Sequence, residues 1–284
     1  MATGRQRPLA REPLLVWAIF GLVAAEVFAT YSRDPLRDLY HVSGTGPAAG
    51  LGRVLVLSNF PTALVALPII ALVTPRSLRL VGVTAAVLCG AVFWPGIVEQ
   101  ADLDAKWANA IPAAGVAVAV ALTIGRARAG IAAPVRRRGD TVRATVAAAL
   151  LVVSLPWIAA DLGLSFGDMS AWWAPLGQAR LHHAVHHGHH HGMDGTLLVL
   201  GALLLSRVLG QVPPRLRTTV GLYLGVLVTY GVGNVLNDAW YEQLVKRGWV
   251  SFSMPGVLLP EANLPWALIL VVGLGIGLVF LRAD

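Results

Sequence analysis

The residues best equipped for chemistry in this chain are its histidines. Seven of the eight fall in the stretch LHHAVHHGHHHGMDG, residues 181–195. Imidazole titrates closer to neutrality than any other unperturbed side chain and is the commonest metal ligand. If 181–187 is helical, His182 stands four residues from His186, and His183 four from His187. Positions four apart share a helix face. Each pair could therefore hold one ion, with His190 a further donor, and a third ligand from elsewhere would leave an open catalytic position. Zinc is the expected metal, with iron or copper as alternatives. The run is internal and broken by Ala184, Val185 and Gly188, unlike a terminal purification tag. Gly188 and Gly192 are expected to interrupt the helix, and Asp194 to cap the one that follows.

A hydrated, pH-responsive loop is the competing reading. It fits the next apolar segment poorly. That segment has room for only part of the roughly 20 residues a bilayer crossing needs, so the membrane boundary reaches back to the histidines. Imidazoles at such a boundary are costly unless paired or metal-bound.

Three groups could complete a site. Glu26 lies inside an apolar segment about a turn from its end, where an ionised carboxylate must face other helices or a cavity. A neutral Glu26 hydrogen-bonded between helices is the alternative. Glu99, Asp102 and Asp104 cluster in VEQADLDAKW (98–107), and a helix would put Glu99 and Asp102 on one face. They suit acid/base work or simply form a solvated rim. Asn234, Asp238 and Glu242, at i, i+4 and i+8, form a polar stripe that must face the interior or serve as an interhelical hydrogen-bond seam. Glu26, Glu99 and Asp238 are the candidate proton-moving residues. His41 stands alone, and the neighbouring SGTGPAAGLG lacks the lysine of a phosphate-binding loop.

The elements that must position these groups follow from composition. Hydrophobic residues make up 56% of the chain and charged residues 13%, against about 45–50% and about 25% in soluble domains. This is the balance of an all-α, polytopic membrane bundle. Eight crossings are expected, at about 14–30, 53–74, 79–98, 111–126, 144–160, 194–210, 218–237 and 264–282, forming one transmembrane domain over 1–284. In alternating loops, 15 of the 22 Lys and Arg residues fall on one side and seven on the other. The positive-inside rule makes the richer side cytoplasmic, with both termini there. The arginine run 136–138 carries the same signal. The net charge of +7 thus reports loop orientation, and no nucleic-acid partner is expected.

Nearly all the acids and every histidine fall on the other side, in the longer loops. Tryptophans gather there too, as an interfacial belt would. The working face is therefore expected to be extracytoplasmic, in a cell-membrane protein whose partners are the bilayer and a metal ion, with no protein partner specified. Cys89, the only cysteine, allows neither an intramolecular disulfide nor a CxxC metal site.

The HHAVHHGHHH run resembles the histidine boxes of membrane fatty-acid desaturases and hydroxylases, a resemblance that implies a di-iron centre. It covers ten residues; the further boxes of that family are absent, and its boxes are cytoplasmic. Glu26, Asp161 and a histidine pair are similar in kind to the ingredients of membrane-embedded zinc hydrolases such as alkaline ceramidases, with different spacing and crossing number. No residue role is carried over from either. The expectation is a metal-dependent membrane enzyme. A metal-ion or proton-coupled transporter and a noncatalytic pH-sensing subunit are the alternatives.

Overall fold

Out of water, a chain must satisfy its backbone groups internally, and long apolar segments do so as helices. The computed structural model describes residues 8–33, 46–97, 105–161, 189–245 and 249–283. The side chains of 30, 33, 156–161, 189–191, 242 and 243 lie outside that description. Among the described residues eight helical rods follow one another: α1 (Glu12–Arg33), α2 (Pro47–Val73), α3 (Arg76–Phe93), α4 (Trp107–Ala127), α5 (Asp140–Asp161), α6 (His189–Ser206), α7 (Pro214–Trp240) and α8 (Leu264–Ala283). Six of them, α1–α4, α7 and α8, are long and apolar enough to cross a membrane. The other two, α5 and α6, fall on the two remaining expected crossings. The described residues contain no strand beyond a single bridge between Leu9 and Ile131.

Several boundaries differ from expectation for local reasons. α2 starts at Pro47 rather than near 53. Proline suits the first turn of a helix, and a π-helical turn at Val54–Ser58 carries the rod onward. α3 stops at Phe93 instead of 98. Pro95 pushes the residue before it out of helical geometry, and Trp94 is extended (φ −85°, ψ 128°). Gly96 then turns the chain at φ 81°.

The core lies where α2, α6 and α7 meet. Val65, Ile69, Leu198, Val199, Ala202 and Leu224 are fully enclosed there. Glycines set the closest approaches. Gly221 and Gly225 of α7 meet Gly273 and Gly277 of α8, a small-residue spacing on both partners that lets backbones touch. A Cβ on Gly225 would strike the Gly273 carbonyl and the Gly277 amide. Gly195 of α6 and Gly231 of α7 abut in the same way. The outer surface is apolar: α8 has mean hydropathy 2.5, yet only 22% of its apolar window is buried. In water such a helix would turn its apolar faces inward; here they meet lipid.

One end of the bundle is latched by charges. Arg207, just past α6, donates from Nη1 to Glu12 Oε1 (2.8 Å) and from Nη2 to the Val135 carbonyl (2.9 Å), and binds Asp140 through Nε and Nη2. Arg143 Nε donates to Ser206 Oγ at 2.9 Å, and its guanidinium stands 5.8 Å from the ring centre of Phe280. The beginnings of α1 and α5 and the ends of α6 and α8 thus share this arginine-rich end. The histidine-bearing start of α6 is at the other.

Candidate functional site

The first four N–H groups of a helix have no partner within it. In α6 these lie in the turn that ends at His191, and Gly192 follows directly. Asp238, on the last turn of α7 and 5% exposed, accepts the Gly192 N–H on Oδ2 at 3.1 Å. A carboxylate at a helix start also meets the positive end of the helix dipole. The Gly195–Gly231 contact brings α7 close enough for Asp238 to reach. One turn below, Asn234 is 3% exposed and its amide donates to the Tyr230 carbonyl at 2.9 Å.

On the other flank of α6, Thr196 Oγ1 donates to the Gly192 carbonyl at 2.9 Å and lies 2.7 Å from Ser154 Oγ of α5. Thr196 has spent its hydrogen, so Ser154 donates in that pair. Gly192 is therefore held at both backbone groups. The turn that carries the last three histidines is fixed by α7 through Asp238 and, through Thr196, by α5.

A second polar group lies at the same end, in α2 and the approach to α4. Asn109 joins Ile97, Lys106 and Asn59. Its Nδ2 donates to the Ile97 carbonyl and its Oδ1 accepts the Lys106 N–H, each at 2.6 Å. Its own carbonyl accepts from Asn59 Nδ2 of α2 at 2.7 Å. Arg53, one residue before the π-helical turn, is 2% exposed. Glu26 of α1 is half-buried, with its Oε2 atom fully enclosed. Its neighbour Val27 packs against Val54 and Leu57 of α2.

Of the sequence-derived candidates, Asp238 and Asn234 are buried on one stripe of α7, as expected. Glu242 falls in a π-helical turn, Tyr241–Val245, which alters the helical phase beyond Asp238, and its side chain lies outside the description. His182, His183, His186 and His187 lie outside the described residues, as do His41, Glu99, Asp102 and Asp104. His190 is described in its backbone alone, in the first turn of α6. Among the described residues no three His, Cys, Asp or Glu side chains gather to hold a metal, and no histidine side chain is among those described.

One expectation is corrected. Asp194 does not cap α6, and Gly192 does not break it. The helix starts at His189, which puts Asp194 in its second turn. The start is secured from outside, by Asp238, so no cap at 194 is needed.

Sequence reasoning missed three participants. Arg53 counted only as a loop cation because the second crossing was started at 53 instead of at Pro47. Asn59, in the run VLVLSNFPTALV, was a legible signal, since an amide inside an apolar segment needs a partner. Asn109 carried none, because its importance lies in the carbonyl and amide it joins. The chain matches no protein-family model, no curated protein and no solved structure.

Proposed function

We propose that the histidine-bearing end is the extracytoplasmic face and holds a transition-metal site, zinc first, in a membrane-embedded metal-dependent enzyme. The observation that carries this reading is the bond from the Gly192 N–H to buried Asp238. It fixes the backbone turn that bears His189, His190 and His191. Sites carried on a helix whose backbone is held by packing and outer hydrogen bonds present their side chains more precisely than sites on loops.

Nitrogen donors beside a buried carboxylate are a donor set that zinc accepts. His182, His183, His186, His187 and His190 are the proposed ligands, and zinc when bound would act as a Lewis acid. Asp238 holds the histidine turn in place. Glu26, buried at its Oε2 atom, and Glu99 would take up and release protons at the rim of the site.

The distribution of polarity favours an enzyme over a conduit. Arg53, Asn59, Asn109, Thr196, Asn234 and Asp238 are all buried towards the histidine-bearing end. Below them, the meeting of α2, α6 and α7 is aliphatic, at Val65, Ile69, Val199, Ala202 and Leu224. A charged solute crossing the bundle would need polar partners through that layer.

Zinc competition against a chromophoric chelator tests the reading. Loss of an outer contact typically weakens metal binding about 10–100-fold. Asp238→Ala, which removes the acceptor for Gly192, should fall in that range, and Asp238→Asn, which keeps one, should lose less. Unchanged affinity in Asp238→Ala would remove Asp238 from the site.

A further inference from the structure

At the arginine-rich end, a cavity of about 870 Å³ opens between the end of α2 and the starts of α3 and α7. Its inner wall is apolar, with Leu67, Ile70, Ala71 and Ala86, and its mouth carries Arg76, Arg79 and Arg215. No acidic residue lines it among the described residues. These arginines differ from their neighbours. Arg207 and Arg143 are spent on carboxylates, a hydroxyl and carbonyls of the latch, and Arg217 donates to the Gly210 carbonyl. Arg76, Arg79 and Arg215 are exposed, and no such bond engages them among the described residues.

Beside the cavity wall, Val83 and Leu216 are 54% and 44% exposed, so the cavity is continuous with the lipid-facing surface. An occupant suited to it has a negative head and an apolar tail.

From this geometry we infer that the cavity binds one anionic phospholipid of the leaflet at this end. Its phosphate sits among Arg76, Arg79 and Arg215, and an acyl chain lies along Leu67, Ile70 and Ala86. Under the positive-inside rule that leaflet is the cytoplasmic one, where anionic lipids attract basic residues. The site is separate from the proposed metal centre, and its test does not depend on it.

Native mass spectrometry of the full chain in detergent, titrated with equal amounts of dioleoylphosphatidylglycerol and dioleoylphosphatidylcholine, tests this. One phosphatidylglycerol should be retained in preference to phosphatidylcholine. Each arginine-to-glutamine change should weaken that retention about fivefold, and the combined R76Q/R79Q/R215Q on the order of 100-fold. The variant R136Q/R137Q/R138Q should retain lipid like the parent. Because all three mouth positions are exposed, the single variants provide a reading even if the triple variant is poorly folded. Equal retention of the two lipids, or a preference untouched in R76Q/R79Q/R215Q, would overturn the inference. So would displacement of the lipid by matching amounts of inorganic phosphate, which would identify a site for the free anion.

Discussion

Arg207 grips Asp140 with two nitrogens, Nε to Oδ1 at 2.9 Å and Nη2 to Oδ2 at 3.1 Å. The side chains are 22% and 21% exposed, between the surface pairs that contribute little and the buried pairs whose disruption is severe. Arg207→Gln would strip Asp140 of its fork and Glu12 of its contact. The expected loss of stability is about 1–3 kcal/mol. Arg136→Gln, at an exposed position, should stay within about 0.5 kcal/mol of the parent. Thermal unfolding in detergent compares the two; equal midpoints would show that the latch does not hold the bundle.

The latch also has a pH signature. Asp140 precedes the apolar segment of α5, and partial burial there opposes its ionisation. The Arg137 N–H bonded to Oδ2 at 2.7 Å, with Arg207 and Arg143 beside it, outweighs that cost and holds its carboxyl below the ordinary aspartate value. A carboxyl lowered on folding stabilises fully above its unfolded value, about 3.9. That stability is lost as the pH falls below there and through the lowered native value. Asp140→Asn should therefore unfold earlier than the parent near neutrality, and the gap should narrow as the pH drops below about 4. A gap of constant size from neutral to acid would contradict this.

Two glycines on neighbouring helices separate packing from propensity. At Gly225 an added methyl meets the backbone of α8 at Gly273 and Gly277; at Gly275 of α8 it meets nothing. Gly225→Ala should cost about 1–3 kcal/mol or more from overpacking. Gly275→Ala should be neutral or slightly stabilising, because alanine exceeds glycine in helix propensity by up to about 1 kcal/mol. Unfolding midpoints that move together would mean the α7–α8 contact is looser than described.

The six helices of crossing length were legible because a bilayer imposes one dominant rule, and the run around α8 satisfies it most plainly. Where a boundary moved, the cause was local and partly visible: Pro47 could have been read as a helix start and Pro95 as a stop. The stripe of Asn234 and Asp238 was legible from spacing alone. The start of α6 was not. Its register depends on Asp238 reaching Gly192 from 46 residues away, a contact made by the Gly195–Gly231 approach and by no local signal. Arg207 was equally opaque, since a count of arginines cannot tell a loop cation from one that ties Glu12 to Asp140.

That approach gives a prediction about function that alters no donor atom. Gly231→Ala would push α7 away from the Gly195 carbonyl and draw Asp238 off Gly192. Zinc affinity should drop by about 10-fold or more, as for other outer-contact changes. Gly233→Ala, whose added methyl meets side-chain atoms no closer than 3.4 Å, should leave affinity unchanged. If the two alanine variants bind zinc alike, the α6–α7 contact does not position the histidines.

The histidines at the start of α6 and just before it are proposed to hold a metal. Elemental analysis of the untagged protein, purified without added metal and without chelator, tests it most directly. About one transition-metal ion per chain is expected, zinc foremost, in keeping with a single site built from spaced histidines, and its loss in His186→Ala. A substoichiometric metal content that stays the same in His186→Ala would contradict it.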